Sequence, residues 1–586
     1  MKLGKLNKSL KSALLGGVLL SGTAAAINVD QLFEGQWYRG AEDNGTGWQL
    51  DYIKTGPEAG LFFVTGFIYG DDGQPTWVAG NSSVVAGQST LNFEIYEVTG
   101  GSLTENVNRT TEKFADMVFE VNNCRSISAT IDNINSAFIS DTSTSFELSP
   151  IDEAGGQLRD SSVCPYQTTF TACPSFATTT TQPKTCAISG TLTGDVTLTN
   201  DTNWVLQGGV FVGEDGGQTA NLTVEPGTRI MGVTGNDFLA VQRGSKIFAE
   251  GTPTAPIVFS GPFTATDPSA SAGNWGGLVI NGRAPLNICD DAVSFEQCED
   301  IGEGSSGNFG GNLPEDSSGV LKYVRVQFGG FKINDEDELN GIALQGVGSG
   351  TVIDHVQVHA NEDDGIEFFG GTVNAKHLVL TGIKDDSLDW THGWNGHVQY
   401  VVVKQDSDPA NDKERGIEAD NFEDNNEATP RSQPSIANAT FIGAPSDNKT
   451  TTGMVLRRGT GFNLTNVIVT GFEKCLDLDS SATFAAAGTP LNLTGTGTME
   501  NTIISCDVNF EEEEGDAYTV QSFFEAQMGN QVADPALDGI YPTSNTPAVM
   551  SMDGTKFGAF FDKTNYAGAF KSKASAWTNG WTEFLD

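Results

Sequence analysis

The chain has 586 residues, with 75 Asp plus Glu against 32 Lys plus Arg and a formal net charge of −43. So acidic a chain is excluded as a general nucleic-acid binder, because phosphate recognition needs clustered Lys and Arg, and adhesion to anionic membranes is disfavoured. A hydrophobic content of 38%, with 35 Phe and 9 Trp, is enough for a core and excludes global disorder.

Lys2, Lys5, Lys8 and Lys11 lead into the apolar run Ala13 to Leu20, and Ser21 to Ala26 supply small residues. Residues 1–26 therefore read as a signal peptide. The apolar run is far short of the ~20 residues of a membrane span, and no other stretch is long enough, so no transmembrane segment is expected in the mature chain. Eight cysteines follow: Cys124, Cys164, Cys173, Cys186, Cys289, Cys298, Cys475 and Cys506. An even number in an exported chain reads as disulfides. Cys289 with Cys298 would close a short loop, and the four cysteines up to Cys186 are not paired by sequence alone. No Cys-x-x-Cys occurs, which weighs against haem or a thiolate zinc site; no nucleotide is expected either.

Residues 27–155 read as a separate antiparallel β module. The run Leu61 to Tyr69, the turn Asp71-Asp72-Gly73-Gln74-Pro75 and Thr76-Trp77-Val78 form strand, turn and strand. The opening Gly35-Gln36-Trp37-Tyr38 and Gly45-Thr46-Gly47-Trp48 resembles a small β module of secreted bacterial proteins. Trp37, Tyr38, Trp48 and Trp77 either fill its core, the simpler reading, or make a sugar-stacking platform. Residues 156–187, rich in Ser, Thr and Pro, read as a linker.

From residue 188 short strands recur at a loose period of 22–24 residues. Aligned strands start at Gly341, Gly365, Ser387, Gly416 and Gly453, and a second series covers Val352 to Val358, Ala375 to Leu380, His397 to Val403, Ala437 to Ile442 and Leu464 to Val469. Such coils bury an apolar face only by stacking on one another, as in a parallel solenoid. Cys475 with Cys506 would then tie neighbouring coils.

These residues resemble the right-handed parallel β-helix superfamily, which includes the pectate lyases. They are similar in particular to an uncharacterised bacterial secreted and surface group, through Leu222-Thr223-Val224-Glu225-Pro226-Gly227-Thr228, Gly273-Asn274-Trp275-Gly276-Gly277-Leu278, Asp363-Asp364-Gly365-Ile366-Glu367-Phe368 and Tyr566-Ala567-Gly568-Ala569-Phe570. The resemblance implies an all-β chain: a small antiparallel β domain, then a β-helix over 188–515, then an end-closing cap over 516–586. It implies export to the outside or the outer cell surface of a bacterium.

Period-2 alternation turns Ile342, Leu344, Ile366, Phe368, Leu388, Trp390, Ile417, Ala419, Met454 and Leu456 inward. One outward ladder then reads Ala343, Glu367, Asp389, Glu418, Val455, and the other Gln345, Phe369, Thr391, Asp420, Arg457. Asp363-Asp364, Asp385-Asp386 and Glu414-Arg415 stand just before the strands. Carboxylates one coil apart, roughly 4.8 Å, repel by about 0.9 kcal/mol in water and about 3.5 kcal/mol at an effective dielectric of 20. Asp363, Asp364, Glu367, Asp385, Asp386, Asp389, Glu418 and Asp420 are therefore the expected ligands of a divalent cation, and oxygen-only donors favour Ca²⁺; the alternative is a solvated acidic stripe. All five histidines fall between 355 and 397, with His355 and His377 at matching coil positions. Surface or hydrogen-bonding roles suit them better than a metal.

Two classes of function follow. The first is a non-enzymatic, calcium-stabilised surface protein that binds a glycan or assembles with other surface or outer-membrane components. The second is a polysaccharide-active enzyme. As a uronate lyase it would use Ca²⁺ with Arg457 as base, after the pattern of pectate lyases; as a glycoside hydrolase it would use two of Glu367, Asp389 and Glu418, spaced for retention or inversion.

Overall fold

A computed structural model describes residues 172–585 except 181–183, 262–269, 290–292, 335–336, 407–414, 445–450 and 553–557, and before them the strands between 35 and 150 with part of their connections. The signal-peptide segment, most of the linker, Cys124 and Cys164 lie outside the described residues.

The first unit is an antiparallel meander: Gly35–Tyr38, Gly47–Ile53, Leu61–Tyr69, Pro75–Ser83, Thr90–Thr99, Thr110–Asn123, Ser126–Asp132 and Ser143–Pro150. The first strand also pairs with the last, Trp37 opposite Pro150, which closes the ring. Alternate residues Phe62, Val64, Phe93 and Ile95 fill it, with Trp48 set between Phe119 and Phe146. Gly66 keeps that site open, since a Cβ there would lie 2.5 Å from the Trp48 ring. Trp48 is therefore core. Trp77 is the opposite case: it stands 52% exposed on the outer face, opposite Phe67 and near Tyr69, both also exposed. The side chains of Trp37 and Tyr38 lie outside the described residues.

From Thr185–Leu192 onward the strands pair in parallel and wind into a β-helix. Each coil contributes a short strand to one face: Ile342–Gln345, Ile366–Phe369, Asp386–Thr391, Arg415–Ala419, Thr452–Leu456 and Lys474–Leu478. A longer strand then forms the other two sides: Val352–His359, Asn374–Thr381, His397–Lys404, Ser435–Ile442 and Phe462–Thr470. The register matches the alternation in the sequence: Ile342, Ile366, Leu388, Ile417 and Met454 are successive partners. They point into one continuous core, where Phe368 stacks on Trp394 at 3.8 Å. Among the described residues three disulfides are formed, Cys173–Cys186, Cys289–Cys298 and Cys475–Cys506.

Each long strand turns a corner at one residue with left-handed backbone. In register these are Tyr323, His355, His377, Tyr400, Asn438, Asn466 and Asn501, all with φ between 49° and 67°. Left-handed backbone costs a non-glycine residue about 1–2 kcal/mol, so a column of such corners needs support from outside the coils. Asparagine tolerates the conformation; the four ring-bearing residues stack instead.

That support comes from the C-terminus. Sequence reasoning assigns 516–586 to closing the solenoid end, and helix Val520–Glu525 lies there, burying Val520, Phe523 and Phe524 beside Phe462 and Phe510. Residues 533–585 differ from that expectation. Gln531–Val532 still pairs in parallel with the last coil, but the described residues of 533–552 and 558–585 fold back along the corner column as a strap, with Gly568 meeting Asn466, Asp562 at Gln399 and Glu583 at Gln357. Buried Phe570 and Trp581 of the strap pack on Val379 and Val402. The reason is apolar: without the strap the corner rings and these valines would face water.

An insertion in two parts, before and after the coil strand Gly319–Gln327 and within the stretch between Asn281 and Ile342, covers the short-strand face of the earlier coils. Its Leu286, Cys298, Phe309 and Leu339 pack on Ala240, Val279, Ala343 and Phe369.

Replacing Phe368 with alanine is expected to cost about 3–5 kcal/mol. A clear fall in the thermal unfolding midpoint checks this.

Candidate functional site

One outward column of the short-strand face, in register, reads Ala240, Val279, Ala343, Glu367, Asp389, Glu418, Val455, Asp477. It is apolar where the insertion sits and becomes acidic where the insertion ends. The ladder of Glu367, Asp389 and Glu418 is thus aligned as the sequence spacing places it. It is not, however, a solvated stripe. Asp364, Asp386 and Asp389 are 7%, 3% and 8% exposed, because the insertion overhangs the first of these coils. Asn340 Nδ2 donates to Glu367 Oε2 at 2.7 Å and to Glu303 Oε2 at 3.2 Å.

Three overlapping groups offer carboxylate oxygens within 4.8 Å of one another: Asp363, Asp364 and Asp385; Asp364, Glu367 and Asp389; and Asp386, Asp389 and Glu418. Burial, reinforced by neighbouring carboxylates, pushes the pKa values well above the ordinary range. Asp364 is raised by burial and then by Asp363 and Asp389, Glu367 by burial and then Glu303, and Asp389 by burial and then Glu367 and Glu418. Asp363 is raised by burial and by a hydrogen bond with Glu338, and Asp386 by burial and the Glu418 charge. Such crowding favours the protonated forms or a counter-cation.

The arginines occupy the far end of the ladder. Arg415 reaches Asp386 at 3.2 Å and Glu418 at 2.8 Å. Arg457 reaches Glu418 at 2.6 Å and Asp420 at 2.8 Å, and Arg458 reaches Asp420 at 2.6 Å. Two of the expected roles are corrected by this geometry. Asp420, held by two guanidinium groups, is committed to ion pairs and does not join any of the carboxylate groups above. Arg457 is no free base: burial alone would lower its pKa, but the Asp420 hydrogen bond and the Glu418 charge outweigh it and raise it. The expected retaining pair, Glu367 and Asp389, are register partners on adjacent coils, and the pKa of each is raised by burial and by neighbouring carboxylates. Glu418 is two coils from Glu367 and shares no group with it.

The histidines lie away from the ladder, apart from His392, which is buried between Phe369 and Phe422 with its pKa lowered by burial to about 4. His355 and His377 stack at 4.1 Å, and each directs Nδ1 at the same oxygen of Asp354, at 2.8 and 2.7 Å. Only His377 Nδ1 meets hydrogen-bonding geometry with that oxygen, and the three ligand atoms lie within 4.8 Å of one another.

Sequence reasoning misses Asn340, Glu303, Glu338 and Asp477. The first three arrive on the insertion, outside the coil repeat, so no periodic signal marks them. Asp477 did carry a signal, the same alternation in Cys475-Leu476-Asp477-Leu478; burial and the Glu511 charge push its pKa up to about 7. A cavity of about 420 Å³ lies beside Cys289–Cys298, lined by Leu286, Val293 and Phe295, and no ladder carboxylate lines it.

The coils, the corner column and the covered short-strand face make a β-helix with one acidic wall. Residues 190–582 match the family model described as a pectate-lyase-like β-helix domain. The chain belongs to this family. No curated protein and no solved structure matches the chain. The three disulfides and this fold fit an extracellular protein, and among the described residues no helix is long and apolar enough to cross a membrane. Membership of the family supports a surface or polysaccharide-related role.

Two outcomes are expected. Carboxyl groups with raised pKa bind more protons folded than unfolded, so cation-free stability falls as pH rises from the ordinary carboxylate range through the raised values; thermal midpoints in chelator between pH 4 and 8 test the sign. Arg457→Ala leaves Glu418 and Asp420 poorly compensated in a buried setting and is expected to destabilise by about 3–5 kcal/mol. A free catalytic base would instead be removable at little structural cost, so equilibrium denaturation separates the two.

Proposed function

We propose that this chain is an exported surface β-helix protein whose acidic ladder binds a divalent cation, and that it interacts with glycans or other surface components. The observation that carries the reading is the group Asp364, Glu367 and Asp389, whose oxygens lie within 4.8 Å of one another, while Arg415 and Arg457 engage Asp386, Glu418 and Asp420 instead. A cation would relieve this crowding of buried acids. Oxygen-only donors on separate coils suit Ca²⁺, which accepts six to eight oxygens in irregular geometry. A further donor stands beside them: the Oδ1 of Asn340 is buried with no hydrogen-bond partner, and a rotation of that amide would present it to an ion held by Glu367 and Asp389. The extended column supports more than one ion.

The glycan part of the reading rests on the family and on the exposed Phe67, Tyr69 and Trp77. With a net charge of −43, acidic glycans are repelled unless the cation bridges them, so neutral chains or calcium-bridged ones are the fitting partners. Lyase action has less support, because Arg457, the base expected for it, is locked between two carboxylates.

Calcium titration by calorimetry at pH 7.5 tests the ion. At a free concentration one hundred times Kd, the folded state gains about 2.7 kcal/mol, read as a higher thermal midpoint than in chelator. Asp389→Asn is expected to remove that gain while changing the midpoint in chelator little. An equal loss in both conditions sinks the cation site. Retention of the mature protein on immobilised neutral and acidic polysaccharides, with Ca²⁺ or chelator, tests the glycan part.

A further inference from the structure

Four of the five histidines lie beneath the C-terminal strap, each against one of its aromatic rings. His355 and His377 meet the edge of Trp577 at 6.2 and 5.1 Å, and His355 also meets Trp581 at 5.6 Å. His359 stacks flat on Phe584 at 4.0 Å, and His397 packs on Phe560 and Phe561. The strap also packs apolar residues on the coils, as Phe570 and Trp581 do, and is held by backbone clasps. Gln357 accepts from the Glu583 N–H at 3.0 Å and donates to its carbonyl, and Gln399 does the same with Asp562 at 2.8 and 2.9 Å. Arg325 pairs with Glu583 at 2.7 Å, and Lys376 with Asp562 at 3.0 Å.

The charges facing these rings leave little room for added protons. Asp354 is the carboxylate shared by His355 and His377, and its register partners on either side are Lys322 and Lys376. One imidazolium can hydrogen-bond Asp354; a second places like charge in a ring stacked 4.1 Å away, under two indoles and between two tyrosines, Tyr323 and Tyr400. His359 is buried, with Thr381 Oγ1 at 2.8 Å from Nδ1. The strap carboxylate near it, Glu583, is already engaged by Arg325.

We propose that the strap is an acid-released latch: residues 573–585 lie closed on the corner column while His359 and His377 are not both charged, and protonation of these two rings lifts the strap from the coils. Burial lowers the pKa of His377, and brings that of His359 to about 4 against an ordinary 6.5. In the open strap His359 and His377 regain water and their ordinary affinity for protons. The open form therefore binds protons more tightly, and falling pH favours it. The acidic ladder responds in the opposite sense, since its raised carboxyls stabilise the coils as pH falls, so opening of the strap is distinguishable from general acid unfolding.

Hydrogen exchange of the whole disulfide-bonded protein, corrected for the intrinsic pH dependence of exchange, tests the latch at pH 7.5 and 5. Amides of 573–585 are expected to lose protection by about tenfold per ring for each pH unit that the solution lies below the open-ring pKa while still above the closed one, while amides of Ile366–Phe369 and Asp386–Thr391 hold theirs. The variant His359→Phe/His377→Phe keeps rings in place but takes up no protons there, and its strap is expected to stay closed at pH 5. Asp354→Asn removes the carboxylate that tolerates the first imidazolium, so its strap is expected to open at higher pH than the natural chain. Equal protection of the natural strap at both pH values, or unchanged acid opening in the double variant, overturns the proposal. Should the double variant fail to fold, the shift in Asp354→Asn decides, and a shift to lower pH or none overturns it.

Discussion

Every feature of this molecule depends on coils stacking at the spacing of one β-strand, about 4.8 Å. At that distance a residue does not sit beside arbitrary neighbours; it sits on its counterpart in the coil below. Whatever is chosen at one position is repeated as a column, so the chemistry of the chain is the chemistry of its columns. Apolar columns point inward and make one core from Cys186 to Phe524. The outward columns have no such common fate, and they differ in what covers them.

The acidic column shows how cover changes chemistry. Exposed to water, Glu367, Asp389 and Glu418 would repel one another weakly. The insertion brings Asn340, Glu303 and Glu338 over the first of these coils, and removal of water makes the same spacing costly. Arg415 and Arg457 neutralise one end, and the other end, around Asp364, Glu367 and Asp389, has no such cation beside it among the ion pairs of the described residues and is where the proposed ion would bind. The corner column is covered in another way. Left-handed backbone at Tyr323, His355, His377 and Tyr400 aligns four rings along one edge, and the strap lays its own aromatics across them. Two covers from distant parts of the chain thus turn two repeated positions into sites with opposite responses to pH.

The fold was legible because its signal is periodic. The spacings of 24 and 22 residues between Gly341, Gly365 and Ser387, with apolar residues at alternate positions, specify both the stacking and which side chains enter the core. A slip by one residue would bury Glu367, Asp389 and Glu418 among leucines, so the register too is written in the sequence, as is the short loop closed by Cys289 and Cys298. The column of carboxylates follows from the same arithmetic.

What the chain did not reveal by itself is everything brought by segments outside the repeat. Nothing in the spacing says that Arg457 is clasped by Glu418 and Asp420, that Trp77 is exposed while Trp48 is buried, or that the described residues of 533–585 return along the corner instead of closing the end. Those outcomes depend on long-range contacts between non-repeating segments, for which a linear sequence has no period to display. The sequence determined the columns, because local alternation and stacking distance are enough to do so. Burial, and with it the charge state of each column, was decided only by the tertiary structure, because burial depends on which distant segment comes to lie on top.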